Sequence, residues 1–119
     1  MLTTICPKLP MRNKAITKDY YINQLKFKVL GNTDYEGYLM IVKDEIEIHF
    51  FEFPTITIAE NYGQIYIRVT NIESLYQSYL LNNVAIHPNG KLEKKPWQQK
   101  EFSLLDPDNN LLTFGESVD

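Results

Sequence analysis

A chain of 119 residues, 44% hydrophobic and 23% charged, is long enough to bury a core without covalent staples, and its one cysteine, Cys6, excludes an internal disulfide. No apolar run reaches the roughly 18 to 20 residues that cross a bilayer as a helix, and the opening Met1-Leu2-Thr3-Thr4 lacks the order of a secretory signal, so a reducing, cytoplasmic setting is expected. With 12 basic against 15 acidic residues the net charge is −3, which favours neither nucleic acid nor anionic membrane as a partner.

In chain order, Ile5 to Met11 reads as a strand, and Asn13 as the N-cap of a helix from Lys14 to about Leu25. Strands are expected at Phe27 to Leu30, Gly37 to Val42 and Glu45 to Phe53, the last two joined at Lys43-Asp44. Pro54 to Tyr62 is a connector. Gln64 to Val69 then alternates as a strand, Thr70 or Asn71 caps a second helix, and Ile72, Leu75, Tyr76, Tyr79 and Leu80 form its apolar stripe up to Asn82-Asn83. Val84 to His87, Lys100 to Leu105 and Leu111 to Glu116 supply further strands, with the turn Asp106-Pro107-Asp108-Asn109-Asn110 between the last two. The basic stretch Lys91 to Lys100 reads as a solvated loop.

The order βαβββ thus occurs twice, at an offset of about 57 residues. The expected class is α+β: one domain over 1–119, with repeat one at about 5–54 and repeat two at about 63–118. Each half has one helix for one sheet, so each leaves a sheet face uncovered, and the two together form a curved mixed sheet with a cleft.

Alternation puts Ile46, Ile48 and Phe50 on the helix side of their strand and Glu47, His49, Phe51 and Phe53 on the other. A carboxylate, an imidazole and two aromatics on one face suit a flat, partly cationic ligand, and equally a second core layer or a dimer interface. Tyr35 and Tyr38 lie at the start of the preceding strand. Trp97, the sole tryptophan, stands in the polar loop Lys94-Lys95-Pro96-Trp97-Gln98-Gln99, where Pro96 stiffens the approach; it is either a stacking platform or a cap on the core edge. Catalysis finds little support. His49 and His87 have no Ser, Cys or second carboxylate at motif spacing, the five glycines are scattered singly, and Cys6, with no neighbouring His, reads as a buried structural thiol. No Cys/His cluster has zinc-ligand spacing.

The doubled βαβββ plan resembles the vicinal oxygen chelate superfamily, which includes glyoxalase I and antibiotic resistance proteins. More specifically, Leu9-Pro10-Met11-Arg12, Glu47-Ile48-His49-Phe50-Phe51-Glu52, His87-Pro88-Asn89, Trp97, Glu101-Phe102 and Asp106-Pro107-Asp108-Asn109-Asn110-Leu111-Leu112 look like the bleomycin-binding resistance proteins. That resemblance implies a homodimer that exchanges its N-terminal strand and binds bleomycin-type drugs, bare or metal-loaded, in two crevices, without a cofactor and without turnover. It implies stacking on Trp97 and on Tyr38 or Phe51, with His49 and Glu101 as polar contacts and Tyr35 and Glu47 completing the ligand-binding set. The superfamily's metal ligands fall near Pro7 and Thr113, neither suited to the role, leaving Gln64 and Glu47 or His49 as remnants. A metal-dependent enzyme of the superfamily and a binder of another planar ligand stay open as alternatives.

Overall fold

Asn13 begins the first helix as its side chain dictates: its Oδ1 accepts from the Ile16 amide at 3.1 Å. In the computed structural model, which describes residues 1–118, this helix links β1 (Lys8–Met11) to β2 (Lys28–Val29), and β3 (Tyr38–Lys43) and β4 (Ile46–Glu52) complete module one. The sheet order is β1-β4-β3-β2, with β1 parallel to β4. The α-helix itself, α1 (Lys14–Asp19), stops short of Leu25 and continues as a π-helical segment, Tyr20–Gln24. The change of pitch falls where two successive tyrosines are buried, their rings edge to face at 5.2 Å. On β4 the expected alternation is present: Ile48 and Phe50 are buried, and Phe50 meets the Tyr21 ring at 4.8 Å.

Module two repeats the plan with β5 (Gln64–Arg68), α2 (Ile72–Leu81), β6 (Glu93–Lys95), β7 (Gln99–Leu105) and β8 (Leu111–Ser117), in the order β5-β8-β7-β6 and with β5 parallel to β8. The doubled α+β plan is borne out, as two separately bonded four-stranded sheets. Phe102 and Phe114 stack at 4.9 Å under α2, and the Tyr79 ring packs edgewise on both.

Four readings of this half need correction. Val84 to His87 is not a strand: His87 donates to the Ser103 carbonyl, and the next residue, Pro88, has no N–H to continue a ladder. The fourth strand is instead Glu93–Lys95, inside the stretch read as a solvated loop, where lysines suit an exposed sheet edge. Asn71, not Thr70, is the N-cap residue of α2, but it is left-handed (φ 57°) and its side chain makes no capping bond; Glu116 instead accepts from the Asn71 and Ile72 amides at 2.8 and 3.0 Å. Leu80, placed in the apolar stripe, is exposed.

The modules are joined through the turn Asp106 to Asn110. The buried Asp106 carboxylate takes four donors: the Asp108 and Asn110 amides, Asn110 Nδ2, and the Tyr21 hydroxyl at 2.7 Å. Asp108, also buried, accepts from Arg12 Nε at 2.6 Å, and Asn110 Nδ2 donates to the Pro10 carbonyl at 2.9 Å. Asn61, from the connector, donates to both the Asp108 carbonyl and Asn110 Oδ1. In return the Tyr79 hydroxyl of α2 reaches the Leu25 carbonyl of module one at 3.4 Å.

Removing Asp106 leaves four donors without their acceptor in the interior. Asp106→Ala is therefore expected to cost about 3 kcal/mol or more in urea denaturation. Arg12→Ala, whose partner stays hydrogen-bonded and whose own side chain is 40% exposed, should cost about 1 kcal/mol or less. Equal effects would refute the hub.

The backbone amides of Ile72 and Asn71 hold the Glu116 carboxyl below its ordinary value of 4.5. A carboxylate depressed in the folded state stabilises above its unfolded pKa and loses that contribution as pH falls through the folded one. Glu116→Gln should thus lower the melting temperature at neutral pH, and the gap from wild type should close in acid; a pH-independent gap would count against the cap.

Candidate functional site

On the uncovered face of sheet one, β3 and β4 place Tyr38, Glu47, His49 and Phe51. The Tyr38 hydroxyl bonds His49 Nδ1 at 2.7 Å, and His49 Nε2 lies 2.5 Å from Glu47 Oε2. The hydrogen bond from His49 is the main cause that holds the Glu47 carboxyl below its usual range, so Glu47 is an acceptor and Nε2 carries the proton. In a neutral ring so oriented, Nδ1 is the nitrogen that accepts from the Tyr38 hydroxyl. Phe51 is half-buried opposite Tyr38 in the ladder.

Cys6 joins this group. It is half-buried just before β1 rather than buried in a strand, and donor atoms of Cys6, Glu47 and His49 lie within 4.8 Å of one another. The absence of sequence spacing thus hid a three-dimensional cluster, because Cys6 lies just ahead of β1, which pairs in parallel with the strand that carries Glu47 and His49. Thiol, carboxylate and imidazole are a donor set for a borderline divalent ion. Desolvation, then Glu47, raises the Cys6 thiol pKa, which opposes the thiolate. Module two adds no comparable donors: the Thr113 hydroxyl is bonded to Ser103, and Gln64 is exposed. Among the described residues the candidate metal-ligating group is thus Cys6, Glu47 and His49 alone.

On the uncovered face of sheet two, Glu101 of β7 is buried although it points away from the core strands, and its Oε2 accepts from Trp97 Nε1 at 2.9 Å and from the Tyr66 hydroxyl at 2.8 Å. Trp97 lies in the loop Pro96-Trp97-Gln98 that joins β6 to β7, closed by the Gln98 amide on the Lys95 carbonyl and by Gln98 at φ 63°. Pro96 fits the first turn position, and the left-handed closing residue is what a three-residue hairpin loop requires. The indole is therefore tethered at its nitrogen while the residue stays 60% exposed. A groove of about 560 Å³ runs between the sheets and has Cys6 and Glu47 on one side, Tyr66 and Arg68 on the other.

Six of the seven expected residues fall into these two clusters. Tyr35 does not: it is half exposed in the β2–β3 loop, its carbonyl bonded to Lys14. Phe53 lies beyond β4 and is exposed, and His87 is engaged locally, Nδ1 accepting from the Asn89 amide. Sequence reasoning missed Cys6 and Tyr66. Tyr66 had a readable signal, an aromatic on the polar face of the alternating run Ile65-Tyr66-Ile67-Arg68.

The paired βαβββ modules superpose on a glyoxalase/bleomycin resistance protein/dioxygenase from Nocardioides with a TM-score of 0.76 at 10% identity, covering 100% of this chain and 86% of that one, which is a likeness of fold. No family model matches the chain. The more specific likeness is to the bleomycin resistance protein of Geobacillus stearothermophilus, 28% identical over 134 aligned residues that cover 99% of this chain and 98% of that one. Among solved structures, the bleomycin resistance determinant encoded on transposon Tn5 superposes with a TM-score of 0.85 at 19% identity, covering 98% of each chain. A bleomycin-binding protein complexed with bleomycin gives 0.84 at 19%, covering 98% of this chain and 99% of that one. The resemblance read from the sequence is thereby borne out. No helix among the described residues is long and apolar enough to cross a membrane.

The hydrogen bonds fix a tautomer. Nitrogen NMR of the neutral His49 ring is expected to show the proton on Nε2, and Tyr38→Phe should shift the Nδ1 resonance while Nε2 changes little. A predominantly Nδ1-protonated ring would contradict the assigned network.

Proposed function

We propose that this protein binds bleomycin-type drugs non-covalently and withholds them from their target in the cytoplasm, as a homodimer. The observation that carries this reading is Trp97: a lone indole, 60% exposed, held by its nitrogen on a buried carboxylate, offers a ring face at a fixed orientation beside negative charge. Such a pair suits a planar heteroaromatic joined to a cation, because stacking rewards a rigid platform and a desolvated carboxylate rewards a positive partner. Tyr38, Glu47, His49 and Phe51 supply the facing aromatic and polar groups, and Tyr35 the rim. The printed description of the bleomycin-complexed neighbour supports the choice of drug.

Dimerisation follows from what each chain leaves uncovered. The segment ahead of β1 carries Met1, Leu2 and Ile5 fully or largely exposed, and burying each such side chain against a second copy contributes about 1.5 to 3 kcal/mol. The N-terminal arm is thus the element to exchange. Binding, and not turnover, fits the polar groups: His49 and Glu47 are committed to each other, and the Cys6 thiol is held protonated.

Titration of metal-free protein with bleomycin, followed by Trp97 fluorescence and calorimetry, should show saturable quenching near one drug per subunit, with sedimentation giving a dimer and the drug recovered unchanged. Trp97→Ala should weaken binding about tenfold or more. Neither heat nor quenching, or a chemically altered drug, overturns the proposal.

A further inference from the structure

Gly115 of β8 stands opposite Glu101 of β7 in the ladder. A Cβ at Gly115 would lie 1.9 Å from the Tyr66 hydroxyl oxygen and 2.5 Å from Cζ, so no other residue fits while that ring is in place. The backbone of Gly115 is not left-handed, and the requirement for glycine is one of space alone. Tyr66 uses this space to lie across β8 and reach Glu101 on the far strand. The ring is braced from the side by Arg68, whose guanidinium sits 5.4 Å from its centre and donates to Gln99 and Ser117. Desolvation, then the hydrogen bond to Glu101, pushes the Tyr66 phenol up, so it stays a donor at neutral pH. Tyr66 and Trp97 both donate to the same oxygen, Oε2, and among the described residues Oε1 has no protein partner. That oxygen is not fully enclosed, although Glu101 as a whole is only 8% exposed.

We propose that Tyr66, accommodated by Gly115, is a positioning residue that locks Glu101 and the Trp97 ring into one rigid unit, and that Glu101 Oε1 receives the cationic group of a ligand whose planar part lies on Trp97. The second half rests on the drug-binding reading; the first does not. Two donors on one oxygen fix the carboxylate plane, which is the condition for Oε1 to present a directed acceptor instead of a swinging charge. The hydroxyl of Tyr66 therefore acts on affinity without touching the ligand.

Two measurements separate the halves. In the free protein, Tyr66→Phe keeps the ring and removes the donor, and Gly115→Ala displaces the ring; both are expected to lower the steady-state anisotropy of Trp97 and raise its quenching by acrylamide. Gly115→Ala should add no further change in a Tyr66→Ala background, where no ring remains to displace. In the second measurement, the protein is titrated with bleomycin bearing a cationic sulfonium tail and with the same drug demethylated to a neutral thioether. Wild type should favour the cationic form about tenfold, and Tyr66→Phe should abolish most of that preference, in keeping with a charge-assisted contact. Unchanged Trp97 anisotropy and quenching in Tyr66→Phe overturns the positioning role. A loosened Trp97 with the cationic preference intact overturns the role of Oε1. If neither drug form binds wild type, the drug-binding reading and the Oε1 assignment fail together, and the free-protein measurement still decides the fate of Tyr66.

Discussion

Burying a carboxylate is costly unless donors surround it, and at Asp106 four do, drawn from two parts of the chain nearly ninety positions apart. Burial still raises its pKa, so the donors only partly offset desolvation. The bonds it organises run to the π-helical segment after α1 through Tyr21, to β1 through Asn110, and, by way of its neighbour Asp108, to Arg12 at the β1–α1 junction. Rotation of one module against the other would break several of them at once. That constraint fixes the two sheets side by side and so determines which edges flank the groove.

With the orientation set, the faces without helices have to satisfy their polar groups among themselves. They do so in similar ways. On sheet one an imidazole is shared by a phenol and a carboxylate; on sheet two a carboxylate is shared by a phenol and an indole. Both arrangements hold aromatic rings in defined planes through their polar ends, which keeps the ring faces available. Rigid aromatic surface of this kind loses little conformational entropy on binding, so more of the contact energy goes into affinity.

How much of this could be read from sequence depended on the range of the interaction that decided it. Asn13 and its helix were legible because a cap is a local bond, three residues long. The two faces of β4 were legible because alternation in a strand has a fixed period. The fourth strand of module two was misplaced because Val84 to His87 has the apolar look of a strand and Glu93–Lys95 does not, although pairing with β7 decides the matter and pairing is not local. Asn71 was legible as the N-cap position, but the capping bond was not, for the same reason: it comes from Glu116, 45 residues away. Cys6 and Tyr66 went unassigned because their partners, Glu47 and Glu101, lie on other strands. The family resemblance was stronger than any single motif because it drew on segments spread over the whole chain.

Tyr21 and Tyr79 stand at matching places in the repeat, eight residues beyond Asn13 and Asn71, and each gives its hydroxyl to the opposite module. Either half alone would own a complete apolar layer and an incomplete set of hydrogen bonds, with a buried phenol facing no acceptor. The connector between β4 and β5 matters in this light for its length more than its sequence. By tethering the halves it keeps each acceptor at an effective concentration on the order of millimolar near its phenol, so the reciprocal exchange that two separate halves would have to find by collision is built into one polypeptide.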